Sequence, residues 1–303
     1  MAGIIDFHSH FIPPEIAQHT AFFKVNWSDI DKQLQSMDAL GIEKAFLFYP
    51  STDAHRTLGG WTPVCKVYNR AIAKVTQAHP DRFIGAGILP VDDPSEILPC
   101  LKEIIALGLR VISLASSYEG RYLDDEMFFP VFEFAAANKV PIHVHPQIIH
   151  PIGEERVQDP LLTPVLEYVF DISIGIGKMM MAGTFEKFKD VDFIFAHYGG
   201  VLPFVKERFD NTYQMLRGRN FVKDLGKLPS AVFANLYFDT SGSQSAAALA
   251  CALEVVNPQR ILFGSDYPAN LKIASSIEVI RRSPLSAEAQ TAILSKNAFK
   301  FIP

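Results

Sequence analysis

Eight short apolar runs, each followed by a stretch of different periodicity, constrain this chain more than anything else in it. They cover residues 4–10, 45–49, 83–88, 110–114, 140–145, 192–196, 236–239 and 260–264. Runs of this length, rich in Val, Ile and Phe and without polar alternation, read as strands buried on both faces, as in parallel sheets. Between them apolar residues recur at helical spacing. Ile30, Leu34, Met37 and Leu40 follow it in 28–40, with Ser28 as the expected N-cap and Gly41 as the stop. Helices are likewise expected over 63–78, 95–106 and 127–138. Eight alternating units in 303 residues predict an α/β fold of the closed (β/α)8 TIM barrel type, with 1–303 as one domain. An open doubly wound sheet fits less well, since no GxGxxG follows the first strand.

Composition removes several classes of function. With 49% hydrophobic and 20% charged residues a large core is expected and disorder is not. A formal net charge of -5 gives no reason to expect nucleic acid or an anionic membrane as partner. No apolar run approaches the roughly 18 residues of a membrane span. The first residues enter a strand directly, without the charged and apolar regions of a signal peptide, so a cytoplasmic location is expected. Cys65, Cys100 and Cys251 are scattered and form no CxxC pair, which suits incidental thiols better than a disulfide frame or zinc knuckle.

The chemically capable residues gather at one end of the expected barrel. His8 and His10 close the first strand two residues apart, on one face, before Pro13-Pro14 ends the ladder. His145 closes the fifth strand, His197 follows the sixth, and Asp266 follows the eighth in Gly264-Ser265-Asp266-Tyr267-Pro268. Three imidazoles and one carboxylate suit a divalent cation with a position left open to water or substrate. His197 would then act as a base or polarise the substrate; its competing role is to cap the loop before Gly199-Gly200. His143 shares a face with His145 one layer deeper and reads as a hydrogen-bonded core residue. Asp239, ending the seventh strand, reads as a carboxylate that orients a ligand or a loop. The run Met179-Met180-Met181 reads as helix packing.

In this order the motifs resemble the amidohydrolase superfamily in its amidohydrolase-2 branch, which includes aminocarboxymuconate-semialdehyde decarboxylase and the resorcylate and orsellinate-type decarboxylases. The resemblance rests on Ile5-Asp6-Phe7-His8-Ser9-His10, Pro80-Asp81-Arg82-Phe83-Ile84-Gly85, Val144-His145-Pro146, Gly183-Thr184-Phe185-Glu186-Lys187-Phe188, Phe195-Ala196-His197-Tyr198-Gly199-Gly200 and Phe263-Gly264-Ser265-Asp266-Tyr267-Pro268. It implies His8, His10, His145 and Asp266 as ligands of one divalent ion, zinc first and manganese as the other choice. It also implies His197, with Asp266, as the catalytic pair. The fourth strand offers no lysine, so a mononuclear site is implied. Members of the branch are often homodimers in which an arginine after the strand-six histidine grips a carboxylate in the neighbour's site; Arg208 stands at that place.

The chain departs from the aminocarboxymuconate decarboxylases in two places. It has no arginine between Thr20 and Ile30, where they carry a second carboxylate-gripping arginine, and it has Gln147 where they have tryptophan. Arg56 and Lys178 are the candidates for the missing cation. The reading is therefore a metal-dependent decarboxylase of a small aromatic or unsaturated carboxylic acid, acting as a homodimer. The alternative is hydrolysis of a lactone, ester, amide or carbon-carbon bond in the same site. A catalytically silent barrel would be recognised by a metal site that cannot be filled. The loop 147–160 after the fifth strand is expected to overhang the site.

Overall fold

A computed structural model describes residues 3–20, 22–23, 25–152 and 159–302. Its parallel eight-stranded sheet follows chain order: β1 (Ile4–His10), β2 (Ile42–Phe48), β3 (Phe83–Gly87), β4 (Val111–Ala115), β5 (Ile142–His145), β6 (Phe193–Phe195), β7 (Tyr237–Asp239) and β8 (Ile261–Leu262). All eight expected strands are present. Closure is made by the chain leaving β8: Phe7 N–H donates to the Phe263 carbonyl (2.7 Å), His10 N–H to that of Tyr267 (2.7 Å), and Asp266 N–H to that of His8 (2.8 Å). The segment that carries Asp266 is thereby stitched to the strand that carries both N-terminal histidines. A two-stranded hairpin, Ser117–Tyr118 with Arg121–Tyr122, follows β4.

The helices on the outside form for the expected reasons. In α1 (Ile30–Leu40) the cap is Asp29, whose carboxylate accepts from Lys32 N–H, while Gly41 closes the helix in the left-handed region. Ser28, the expected cap, instead donates its hydroxyl to the Ile12 carbonyl (2.6 Å). Helix α2 (Trp61–Ala78) begins two residues before the expected 63 and buries Val64, Cys65, Tyr68 and Ile72, one helical stripe, against the sheet. Further helices are α3 (Pro94–Ala106), α4 (Phe129–Asn138), α5 (Tyr168–Ala182), α6 (Leu202–Arg217), α7 (Ala246–Leu253), α8 (Ile273–Arg281) and α9 (Ala287–Leu294). Met179 and Met180 are buried in α5, as packing requires.

The barrel interior is filled by Ile5, Phe7, Phe46, Phe48, Ile84, Val111, Ile194, Tyr237 and Leu262, with Phe301 packed among them. A shift of register between Asp6 and Ser9 interrupts the alternation of β1. It lets Phe7 join this apolar layer while His8 and His10 lie above it, and sends Ser9 outward to Gln33. A polar layer thus rests on an apolar plug.

Candidate metal centre

The four residues expected as ligands meet at the C-terminal end of the strands, each offering an atom within 4.8 Å of the others. His8 Nε2 lies 3.1 Å from His10 Nε2, and Asp266 Oδ1 lies 3.1 Å from His10 Nε2 and 3.6 Å from His8 Nε2. The His145 ring centroid is 5.2 Å from that of His8 and 5.0 Å from that of His10. All three histidines are buried, and the Asp266 side chain is 14% exposed.

Hydrogen bonding at the far side of each ring fixes where its proton sits. His8 Nδ1 is 2.8 Å from Asp239 Oδ2, His145 Nδ1 is 2.9 Å from the Pro146 carbonyl, and His10 Nδ1 is 3.4 Å from the Phe48 carbonyl. Carbonyl oxygens and an ionised carboxylate only accept, so His8 and His145 carry their hydrogen on Nδ1 and present a lone pair at Nε2, whereas His10 also meets the Asp266 carboxylate through Nε2 (3.1 Å), which draws its hydrogen there when no cation is bound. The Nε2 atoms of His8 and His10 lie 3.1 Å apart. A cation placed among these nitrogens would take the place of the His10 hydrogen and leave Nδ1 to donate to the Phe48 carbonyl, so the donor set fits a divalent metal ion.

Electrostatics agree with this arrangement. Burial, together with the neighbouring imidazoles, keeps His145 well below the ordinary imidazole range. Burial also lowers His10 against the pull of Asp266. His8 moves the other way: burial opposes its charging, but Asp239 and Asp266 together outweigh it. The position between these carboxylates attracts a positive charge, which a proton or a metal ion can supply. Burial opposes ionisation of Asp239 as well, yet His8 and the bond from His143 hold its carboxyl well below the usual range.

Asp239 is the hub beneath the cluster. Its Oδ2 accepts from His8 Nδ1 and from His143 Nε2 (3.0 Å), and its Oδ1 accepts from the backbone N–H groups of His197 (3.1 Å) and Ser241 (3.0 Å) and from the Ser241 hydroxyl. His143 is fully buried, stacks on Phe48 at 3.9 Å, and is pushed down to about 4 by burial. It is the deeper core residue that its register implied.

His197 stands beside the cluster, its ring centroid 5.5 Å from that of His8 and 5.4 Å from that of His145. It is displayed by an unusual turn, since His197, Tyr198, Gly199 and Gly200 all have positive φ (53°, 56°, 73° and 71°). The glycines are obligatory. A Cβ on Gly199 would lie 2.6 Å from the Phe238 ring, and one on Gly200 would overlap Ser173 Oγ and the Val169 carbonyl. Asp266 is left-handed too, at φ 63°. It is anchored through its neighbour Ser265, whose N–H and hydroxyl donate to Asp6 (2.8 and 2.5 Å). Burial pushes the Asp6 carboxyl up to about 7 in spite of these bonds.

The three candidate cations make no hydrogen bond or ion pair with this cluster among the described residues. Arg56 bonds to His150 in the loop after β5. Lys178 pairs with Asp124 at 3.3 Å. Arg208 is exposed on α6 and has no polar partner among the described residues. Gln147 ties its loop to the hairpin after β4, donating to the Ser117 carbonyl (2.8 Å) and accepting from Ile148 and Ile149 N–H. Of the loop expected to overhang the site, 153–158 lie outside the described residues. Sequence reading passed over Trp27, whose ring lies 5.6 Å from that of His10, and over Asp6, Ser241 and Gly242. Position just beyond β7 was the one available signal for the last two.

The amidohydrolase family model matches residues 5–303. Gamma-resorcylate decarboxylase of Polaromonas sp. strain JS666 is 26% identical over 290 residues, covering 88% of this chain and 89% of that protein. The 2-amino-3-carboxymuconate-6-semialdehyde decarboxylase of Dictyostelium discoideum is 27% identical over 242 residues, covering 77% and 65%. The crystal structure of dihydroxybenzoic acid decarboxylase from Polaromonas sp. JS666, with bound manganese and the inhibitor 2-nitroresorcinol, superposes with a TM-score of 0.83 at 22% identity, covering 100% of this chain and 97% of that one.

Proposed function

The chain belongs to the amidohydrolase family, and from that premise we propose that it is a metal-dependent decarboxylase of a small aromatic or unsaturated carboxylic acid. The observation that carries this reading is the convergence of three imidazoles and the Asp266 carboxylate, with His197 alongside. Relatives that match 88% and 77% of the chain are decarboxylases of gamma-resorcylate and of 2-amino-3-carboxymuconate-6-semialdehyde. His8, His10, His145 and Asp266 would hold one divalent ion; zinc suits this nitrogen-rich set best, and manganese is the ion in the Polaromonas structure. When bound, the ion supplies a Lewis acid that stabilises negative charge on a substrate oxygen.

The chain's own groups do the rest. As the bond to the carboxylate breaks, its electron pair stays on the substrate carbon and carbon dioxide leaves. His197 takes up a proton from solvent and passes it to that carbon, completing the exchange of carboxylate for hydrogen. Trp27, buried against His10, offers a flat apolar wall that accepts an aromatic ring. Arg208 and Arg56 are the cations we assign to a substrate carboxylate; the charge of Lys178 is already met by Asp124.

We also infer a homodimer, with 1–303 acting as a single catalytic domain. Leu161, Val165, Leu166, Phe170 and Ile174 expose an apolar stripe along and just before α5, and Phe204 on α6 is 84% exposed. Large apolar side chains gathered this way mark an interface. Arg208, one turn beyond Phe204, would be carried by that interface toward the partner's site. No helix among the described residues is long and apolar enough to cross a membrane. Three free thiols accord with a reducing compartment, and we take the enzyme to be cytoplasmic.

The test is a panel of hydroxybenzoates, muconate-type acids and lactones offered to metal-loaded protein and to His197→Ala, with carbon dioxide and acid release measured separately. Carbon dioxide released by the wild type and lost in the variant is expected. Acid release without carbon dioxide would replace decarboxylation by hydrolysis. Light scattering should give twice the chain mass, and Arg208→Ala should raise KM more than it lowers kcat.

A further inference from the structure

Oxygen atoms around His197 determine which of its nitrogens can work. Nδ1 lies 3.0 Å from the Ser241 carbonyl and 2.9 Å from Ser241 Oγ. The carbonyl can only accept. The hydroxyl has one hydrogen, and Asp239 Oδ1 takes it, so toward His197 that oxygen also can only accept. Asp239 in turn offers no proton, because five donors converge on its two oxygens: His8 Nδ1, His143 Nε2, His197 N–H, Ser241 N–H and Ser241 Oγ. Both contacts therefore need the His197 hydrogen on Nδ1. Among the described residues Nε2 makes no hydrogen bond.

Shape adds a second constraint. Gly242 has φ +69°, and a Cβ there would lie 2.8 Å from His197 Nδ1 and 3.2 Å from Cε1. The loop after β7 thus packs closely against the Nδ1–Cε1 edge of the imidazole and holds it in place.

We propose that Ser241 is a positioning residue, which with Asp239 locks His197 in the Nδ1–H form and reserves Nε2 as the atom that takes up and delivers the reaction proton. Gly242 is the space this requires. One carboxylate then sets the ring of His8, through Oδ2, and the ring of His197, through Oδ1 and Ser241. The proposal rests on the reading of His197 as the proton-handling residue.

The experiment is nitrogen-15 NMR of zinc-loaded, histidine-labelled protein at a pH well above the ordinary imidazole pKa of about 6.5, with His197→Gln used to assign the ring. A protonated Nδ1 and a lone-pair Nε2 at His197 are expected in the wild type. An Nε2–H form would overturn the proposal whatever the enzyme's substrate proves to be. In Ser241→Ala one of the two acceptors is lost, so an Nε2–H population should appear and kcat should fall about tenfold with KM unchanged, a fraction of the full contribution of a general acid. Wild-type ring signals and wild-type kcat in that variant would also overturn it. Since the ring signals do not depend on turnover, a protein that releases no carbon dioxide but shows the Nδ1–H form sinks the decarboxylase assignment and leaves the positioning intact.

Discussion

Replacing Asp239 by asparagine should remove the metal before it removes the fold. The substitution keeps volume and changes one acceptor oxygen into a donor. Placed at Oδ1, the new amide would face two backbone N–H groups that cannot change their protons. Placed at Oδ2, it faces His8 and His143, whose rings can. The second arrangement is cheaper, and it moves the His8 hydrogen from Nδ1 to Nε2, where the lone pair for the metal had been. Hydrogen bonds to a charged acceptor are worth about 1.5–3 kcal/mol each and neutral ones about 0.5–1.5 kcal/mol, so exchanging the two at Oδ2 for neutral ones should lower stability by about 2–3 kcal/mol. That is less than the roughly 5–15 kcal/mol of a typical domain.

Metal affinity should fall about 10- to 100-fold, the usual effect of losing the carboxylate behind a ligating histidine. Denaturant unfolding of chelated protein measures the first quantity, and calorimetric titration with zinc the second. An Asp239→Asn protein that folds with reduced stability yet binds zinc with undiminished affinity would refute the idea that this carboxylate fixes the His8 lone pair.

His145→Ala should abolish metal binding, read by elemental analysis, with the far-ultraviolet spectrum of the barrel retained; chelating the wild type should lower its stability by about 2.7 kcal/mol if the ion had been present at a hundred times its Kd. Gly200→Ala should lose at least about 3 kcal/mol or fail to fold, because its Cβ overlaps the Val169 carbonyl in a left-handed residue; a normal unfolding midpoint would count against the rigidity of the His197 turn. Burial, helped by Glu103 and Glu96, pushes the Cys100 thiol up to about 12, so near pH 8 its alkylation should run about a thousandfold slower than that of a free thiol of pKa about 8.5. Mass mapping after iodoacetamide treatment checks this, and prompt labelling of Cys100 would contradict it.

The barrel and the cluster at its rim were legible because both depend on short-range pattern. Apolar runs ending in Pro or Gly mark strands, and the end of a strand is a fixed place in a closed barrel, so His8, His10, His145 and Asp266 could be brought to one rim without coordinates. Depth was legible only in part. His143 falls below His145 by simple alternation, whereas the irregular register of β1, which puts Phe7 and His8 in successive interior layers, leaves no mark in the order of residues. Partnerships between strand ends were invisible for a related reason. Asp6 meets Ser265 across 259 positions, and Ser241 meets His197 across 44. No periodicity records such a pairing, and each residue alone has an ordinary competing role in a turn. The surroundings of the cations were invisible too: Lys178 could not be seen to face Asp124, nor Arg56 to face His150.

Backbone strain in this molecule collects where the chemistry is. His197, Tyr198 and Asp266 all sit in the left-handed region just beyond the ends of β6 and β8, at about 1–2 kcal/mol each for a residue with a Cβ. At Asp266 the conformation is enforced by its own N–H donating to the His8 carbonyl and its carbonyl accepting from Asn270 N–H. The carboxylate and the strain can therefore be separated. Asp266→Ala and Asp266→Gly both remove the ligand, but glycine also relieves the positive φ. In chelated protein the glycine variant should be the more stable of the two by about 1 kcal/mol, the left-handed penalty less the extra entropy glycine gives the unfolded chain. Paired urea denaturation of the two variants measures the difference. An alanine variant as stable as the glycine one would mean that the loop relaxes once the carboxylate is gone, and that the ligand holds the backbone rather than the backbone the ligand.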